Sequence, residues 1–257
     1  FDATRGDSNN TSSNKWNGLG EMIVLGDGPV LELAPTLEWA WTDDDPTTPF
    51  PRGEGAAANM PVVGDLDGDG VPEVVALIRD QTFQPREPAR VLVLDGADGS
   101  TVWTTPTDYR TSSPPTLADL DADGTLEVIV AGVSDRNYAE VVVLDHAGDV
   151  EARLDMFPAT QLGKFSVADL QADGVPEVIV PADSQIAALE LRGGGLSELW
   201  RTNDVPARHC SVENSNHVYC APIVADIDLD GRPEIVHGGR VYGPTGTLDA
   251  VNAGVEG

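Results

Sequence analysis

The sequence predicts an all-β fold: a β-propeller-like array of four loop-centred repeats plus a partial N-terminal blade. Three observations point there. A nonapeptide that begins Asp65-Leu66-Asp67-Gly68-Asp69-Gly70-Val71-Pro72-Glu73 recurs at residues 119, 169 and 226 with its acids almost unchanged. Each copy is flanked by short, β-branched apolar runs, which read as strands rather than helix. The copies start 54, 50 and 57 residues apart, the length of a four-stranded blade and a period that signals a propeller or a related array.

The first strand of each repeat reads as Pro61–Gly64, Thr116–Ala118, Ser166–Ala168 and Ile223–Ala225, and the second as Val74–Ile78, Val128–Ala131, Val178–Val180 and Ile235–Val236. The acidic loop between them is therefore a hairpin connection. Its carboxylates fall at positions 1, 3, 5 and 9: Asp65, Asp67, Asp69 and Glu73; Asp119, Asp121, Asp123 and Glu127; Asp169, Asp173 and Glu177, with Gln171 at position 3; Asp226, Asp228, Asp230 and Glu234. With Gly at position 6 for the sharp turn, they make a cage of oxygen ligands for a hard divalent cation. Calcium fits better than magnesium, which demands a stricter octahedron. An EF-hand needs a bidentate Glu at position 12. Ala76, Val130, Val180 and His237 stand there instead, so that reading fails in every copy.

These loops resemble the FG-GAP (VCBS) repeat, the calcium-binding blade unit of integrin α-chain-type β-propellers, from about Leu37 to about Val251. The Phe-Gly that names the family is reduced to Phe165-Ser166 in the third copy and is absent from the others. The resemblance implies about four Ca2+ ions, each held by positions 1, 3, 5 and 9 plus the main-chain carbonyl of position 7, which is Val71, Thr125, Val175 or Arg232. Gln171 offers a neutral oxygen, so the third site is expected to be the weakest. Four units plus a partial one are fewer than the family's usual seven. The ring is small, the chain is a fragment, or its open edges are met by another copy.

Taken in order, residues 1–20 are polar and Asn/Ser/Gly-rich and read as a flexible arm. They carry Arg5-Gly6-Asp7, an adhesion signal that three residues also match by chance, and sequons headed by Asn9 and Asn10. The propeller domain is expected over 21–257, with repeats near 60–106, 115–157, 165–202 and 221–251. Met22–Leu25, Val30–Leu33 and Leu37–Thr42 read as the outer part of a blade without an acidic loop, suited to completing the last blade and closing the ring. Third strands follow at Val91–Leu94, Val141–Leu144 and Ile186–Leu189, and outer strands at Thr101–Thr104 and Leu199–Thr202. Trp41, Trp103 and Trp200 occupy similar places, where packing between blades is a better account than ligand stacking. The fourth repeat, with only Val241-Tyr242 as its third strand, looks cut short or completed from elsewhere.

Cys210 and Cys220 are the only cysteines. In a secreted protein one disulfide closing that loop is the simplest account. A zinc site of His209, Cys210, His217 and Cys220 matches no usual spacing. With 15 basic and 43 acidic residues the net charge is −28, which makes nucleic acid or an anionic membrane surface a poor partner. No run is long and apolar enough for a membrane helix. The chain begins at Phe1 without an initiator Met or signal peptide, as expected after processing or for a fragment. No catalytic motif is evident, and the acids repeat in equivalent places, so a non-catalytic protein is expected. The functional expectation is a secreted, calcium-binding structural or adhesive protein that self-associates or binds an extracellular protein; the alternative is a lectin-like, carbohydrate-binding module.

Overall fold

The computed structural model describes residues 39, 41, 55–57, 60–80, 89–107, 109–110, 113–134, 136–159, 162–182, 185–203 and 221–251. All belong to one compact unit, Glu38–Gly257. The N-terminal arm, Arg5-Gly6-Asp7, Asn9, Asn10, the expected strands over 22–33 and the Cys210/Cys220 loop lie outside the described residues.

Four antiparallel sheets follow one another along the chain, with no helix among the described residues. The first contains β1 (Gly55–Ala57), β2 (Val62–Gly64), β3 (Glu73–Asp80), β4 (Arg90–Asp95) and β5 (Thr101–Pro106). The second contains β6 (Tyr109–Arg110), β7 (Thr116–Ala118), β8 (Glu127–Ser134), β9 (Tyr138–Leu144) and β10 (Val150–Pro158). The third runs β11 (Ser166–Ala168), β12 (Glu177–Ala182), β13 (Gln185–Arg192), β14 (Gly195–Thr202), and the fourth β15 (Ile223–Ala225), β16 (Glu234–His237), β17 (Arg240–Tyr242), β18 (Leu248–Val251). The fourth repeat is thus four-stranded in its own right, which corrects the expectation that it is cut short. Strands β1 and β6 were not evident from sequence. Each pairs with the far half of a long strand whose near half is taken by β2 or β7.

The sheets stack face to face, which explains why their second and third strands are apolar on both sides. Along β8, Val128 and Val130 join Val75, Leu77, Val91 and Val93 of the first sheet in one core. The alternate residues Ile129, Ala131 and Val133 join Val178, Val180, Ala187 and Leu189 of the third sheet in another. Leu170, Ile179, Ile186 and Ala188 meet Ile235 and Tyr242 of the fourth. Leu at loop position 2 closes each junction: Leu66, Leu120 and Leu170 are 1–2% exposed. Their counterpart in the fourth sheet, Ile227, is 53% exposed, because no further sheet covers that face among the described residues. The expected ring is not closed within them.

Tryptophans clasp successive sheets. Trp103 of β5 donates from Nε1 to the His146 carbonyl at 2.9 Å and lies on Gly148, where a Cβ would stand 2.6 Å from the indole. Trp200 of β14 does the same to the Pro244 carbonyl and Gly246. At the other end it is Trp39, rather than the expected Trp41, that donates to the Gly96 carbonyl and covers Gly99. The junction of sheets two and three has no such clasp. Ala152 holds the tryptophan's register there, and the core of that junction includes Phe157, Leu162 and Phe165, with Arg201 stacked 5.0 Å over the Phe157 ring.

Candidate metal centres

Each acidic loop joins the first two strands of its sheet and is folded by its own backbone. Glu at position 9 opens β3, β8, β12 or β16 and is buried, accepting through Oε2 the N–H of position 2: Leu66 at 2.8 Å, Leu120 at 2.6 Å, Leu170 at 2.7 Å and Ile227 at 2.7 Å. Position 1 accepts the glycine N–H of position 6 at 2.8–3.1 Å in all four loops. Position 5 accepts the N–H of position 7. The turn needs left-handed backbone twice. Position 6 is always glycine, with φ of 91–96°, but position 4 is Gly68, Ala122, Ala172 or Leu229 at φ of 55–75°. That second left-handed position was not foreseen from sequence.

In the first loop Asp65, Asp67 and Glu73 bring one oxygen each within 4.8 Å of one another. Asp119, Asp121 and Glu127 do so in the second, and Asp226, Asp228 and Asp230 in the fourth. Each of these groups can hold a metal ion. They gather three of the four expected carboxylates, leaving out Asp69, Asp123 and Glu234. The first loop gives the sharpest sign of fit: Asp65 Oδ1 is buried without a hydrogen-bond partner, a costly state for a carboxylate oxygen unless a cation meets it.

The second loop is electrostatically the most strained. Burial pushes the Glu127 carboxyl up to about 7 against the pull of the Leu120 N–H, with Asp121, Glu151 and Asp119 adding repulsion. Glu151, on β10, is itself raised by burial and then by Asp121, Asp145 and Asp123. It is a neighbouring acid that spacing within the nonapeptide could not reveal. Asp123 is lowered by the Thr125 N–H and hydroxyl.

The third loop differs. Position 3 is an acid in each of the three groups, and here it is Gln171, so Asp169, Asp173 and Glu177 form no such group of carboxylates. Gln171 donates from Nε2 to Glu177 Oε1 at 2.8 Å, and Arg192 of β13 reaches Asp173 at 3.0 Å and Glu190 at 2.7 Å. The Glu177 carboxyl is raised chiefly by burial, while the Gln171 amide pulls it down. The expected third site thus has the loop fold of the other three without an acid at position 3. No helix of the described residues is long and apolar enough to cross a membrane.

No family model matches the chain, and no curated protein does. Solved structures share its fold. The exotype rhamnogalacturonan lyase YesX superposes with a TM-score of 0.59 at 18% identity, over 77% of this chain and 41% of that one. A rhamnogalacturonan lyase of Bacillus licheniformis does so with a TM-score of 0.59 at 19% identity, over 77% of this chain and 42% of that one. The V. cholerae biofilm matrix protein Bap1 gives a TM-score of 0.57 at 23% identity, over 83% of this chain and 33% of that one. The chain therefore spans less than half the length of these proteins. The expectation of a non-catalytic protein is corrected by the same comparison: enzymes are built on this fold, so an array of acidic loops without a familiar catalytic motif gives no ground for excluding catalysis.

Proposed function

We propose that this chain is a calcium-stabilised β-repeat module of FG-GAP/VCBS type, its sheets serving as blades of a propeller, with an extracellular structural or adhesive role. The observation that carries this is the convergence of three carboxylates at the same hairpin of three sheets. Asp65, Asp67 and Glu73, Asp119, Asp121 and Glu127, and Asp226, Asp228 and Asp230 would hold the ions, with the position 7 carbonyls of Val71, Thr125 and Arg232 as further ligands. When bound, calcium neutralises charge that the loops cannot disperse themselves, and in the first two loops it ties the start of β3 or β8 to the loop before it. Modest-affinity cages of this kind suit an extracellular setting, and the likeness in fold to a biofilm matrix protein supports it. Calorimetry tests the reading: chelation lowers the melting temperature by ten degrees or more, on the order expected when several kcal/mol of ion binding is removed. An unchanged melting temperature, with no ion bound in millimolar calcium, sinks it.

Self-association belongs to the same reading. The fourth sheet exposes Ile223 and Ile227 on the kind of face that the preceding sheets bury against a neighbour, and a second copy continues that interface. Sedimentation should show concentration-dependent association that Ile227→Asp abolishes; a monodisperse monomer at all concentrations rules it out.

A carbohydrate-binding role is the second reading, favoured by the shared fold with two rhamnogalacturonan lyases. Titration with rhamnogalacturonan and other acidic glycans tests it. No heat and no spectral change at millimolar glycan removes it.

A further inference from the structure

The third loop has the turn of a cation site but not its chemistry. Its position 3 is Gln171, so the loop carries three carboxylates where each of the others carries four. Arg192 then brings a positive charge 3.0 Å from Asp173 Oδ2. Among the described residues this is the only ion pair made by a loop carboxylate with Arg or Lys.

The origin of that arginine lies in the hairpin of β13 and β14. In the first, second and fourth sheets the third strand ends at or one residue before the position facing the loop Glu: Asp95, Asp145 and Gly243 take that place, and the turn begins there. The third sheet reaches Glu190 at the equivalent register and continues for two more residues, pairing Leu191 with Leu196 and Arg192 with Gly195 before it turns at Gly193-Gly194. Those glycines have φ of +61° and +74°, as a tight two-residue hairpin requires. The extension carries Arg192 out to the acidic loop, where its Nε lies 2.7 Å from Glu190 Oε2 and its far nitrogen donates to Asp173 at 3.0 Å.

We infer that the third loop has exchanged its cation for protein groups: Arg192 supplies the positive charge, and the Gln171 amide supplies the donor that holds Glu177. This rests on the calcium reading of the other three loops. Arg192 and Asp173 are both solvent-exposed, so their pair contributes little stability of its own. Its effect is on selectivity. An incoming dication would meet a guanidinium at contact distance, one fewer carboxylate, and a Glu already committed to an amide. The chain should therefore bind three calcium ions, and the loop of its third sheet should keep its shape when they are removed.

Equilibrium dialysis of the whole chain with calcium alone, read by elemental analysis, tests this. Three ions per chain are expected, still three in Asp173→Asn, two in Asp67→Asn, and four in the double variant Gln171→Asp with Arg192→Gly. Four ions in the unaltered chain, or loss of one in Asp173→Asn, overturns the inference while leaving the calcium reading standing. No ion in any loop overturns both. Three ions in the double variant would also count against it, since removing the two replacing groups should restore the site; circular dichroism verifies that this variant is folded.

Discussion

Leu229 is the clearest case of a residue held against its own preference. It is 84% exposed, so its side chain contributes almost nothing to packing, yet its backbone is left-handed at φ 63°. Left-handed geometry costs a residue with a Cβ about 1–2 kcal/mol, part of which a glycine gives back as unfolded-state entropy. Leu229→Gly should therefore raise stability by about 0.5–1 kcal/mol in calcium-saturated protein, measured by denaturant unfolding. A loss would mean that the side chain makes contacts the structure does not contain. Glu127 makes the pH prediction. Its folded-state carboxyl titrates at about 7, raised from 4.5 by burial first, so in chelated protein its contribution is fully present below about pH 4.5 and is lost as the pH rises to about 7. Calcium needs the ionised form, and affinity at the second loop should fall below pH 7. Melting temperatures in chelator at pH 5 and pH 8 should differ by more in the unaltered protein than in Glu127→Gln; equal differences would show that Glu127 titrates normally. Glu151 and Glu177 are shifted in the same direction and Asp123 in the opposite one, so the comparison with the Gln variant, not the raw slope, isolates Glu127.

The element that joins sheets is the pairing of an outer-strand tryptophan with the turn of the next sheet. Trp103→Ala should cost about 3 kcal/mol, the range for emptying a large aromatic site, and Gly148→Ala should be harmful too, because its Cβ would lie 2.6 Å from that indole and its φ is +87°. Gly194→Ala meets nothing within 4 Å and should cost only the backbone term, so unfolding midpoints of the two glycine variants separate clasp from conformation. Much at this scale is legible in the sequence. The runs Val74–Ile78 and Val128–Ala131 announce strands buried on both faces, and the nonapeptide announces the hairpin between each pair. Alternation over Leu37–Thr42 cannot choose between Trp39 and Trp41, because residues two apart share one face of a strand. Strands β1 and β6 are too short for periodicity to mark, and exist because the far halves of β3 and β8 offer backbone groups that must be paired. In the site, acidic spacing named the carboxylates but could not show which three converge. Nor could it show that Arg192, fifteen residues past the third loop, folds back onto it, since that depends on a two-residue change in hairpin length.

For the molecule as a whole, stacked sheets with nearest-neighbour cores should lose structure by degrees rather than all at once. Among the described residues the largest core lies between the second and third sheets, whereas the fourth sheet is buried on one face only, with Ile227 left open. Hydrogen exchange after calcium removal should therefore reach β16 and β17 before β8 and β12. Uniform exchange across all four sheets would point to one cooperative unit. The tryptophan clasps carry a further consequence for how such an array could be rearranged. Trp39, Trp103 and Trp200 each need an Asp- or Gly-headed turn to close upon, and the third sheet, with its lengthened hairpin, cannot serve as one. Its predecessor carries Ala152 in the tryptophan's place. Repeats two and three thus form a matched couple, and a recombination that transposed or duplicated either of them alone would leave an indole without a seat or a turn without a lid.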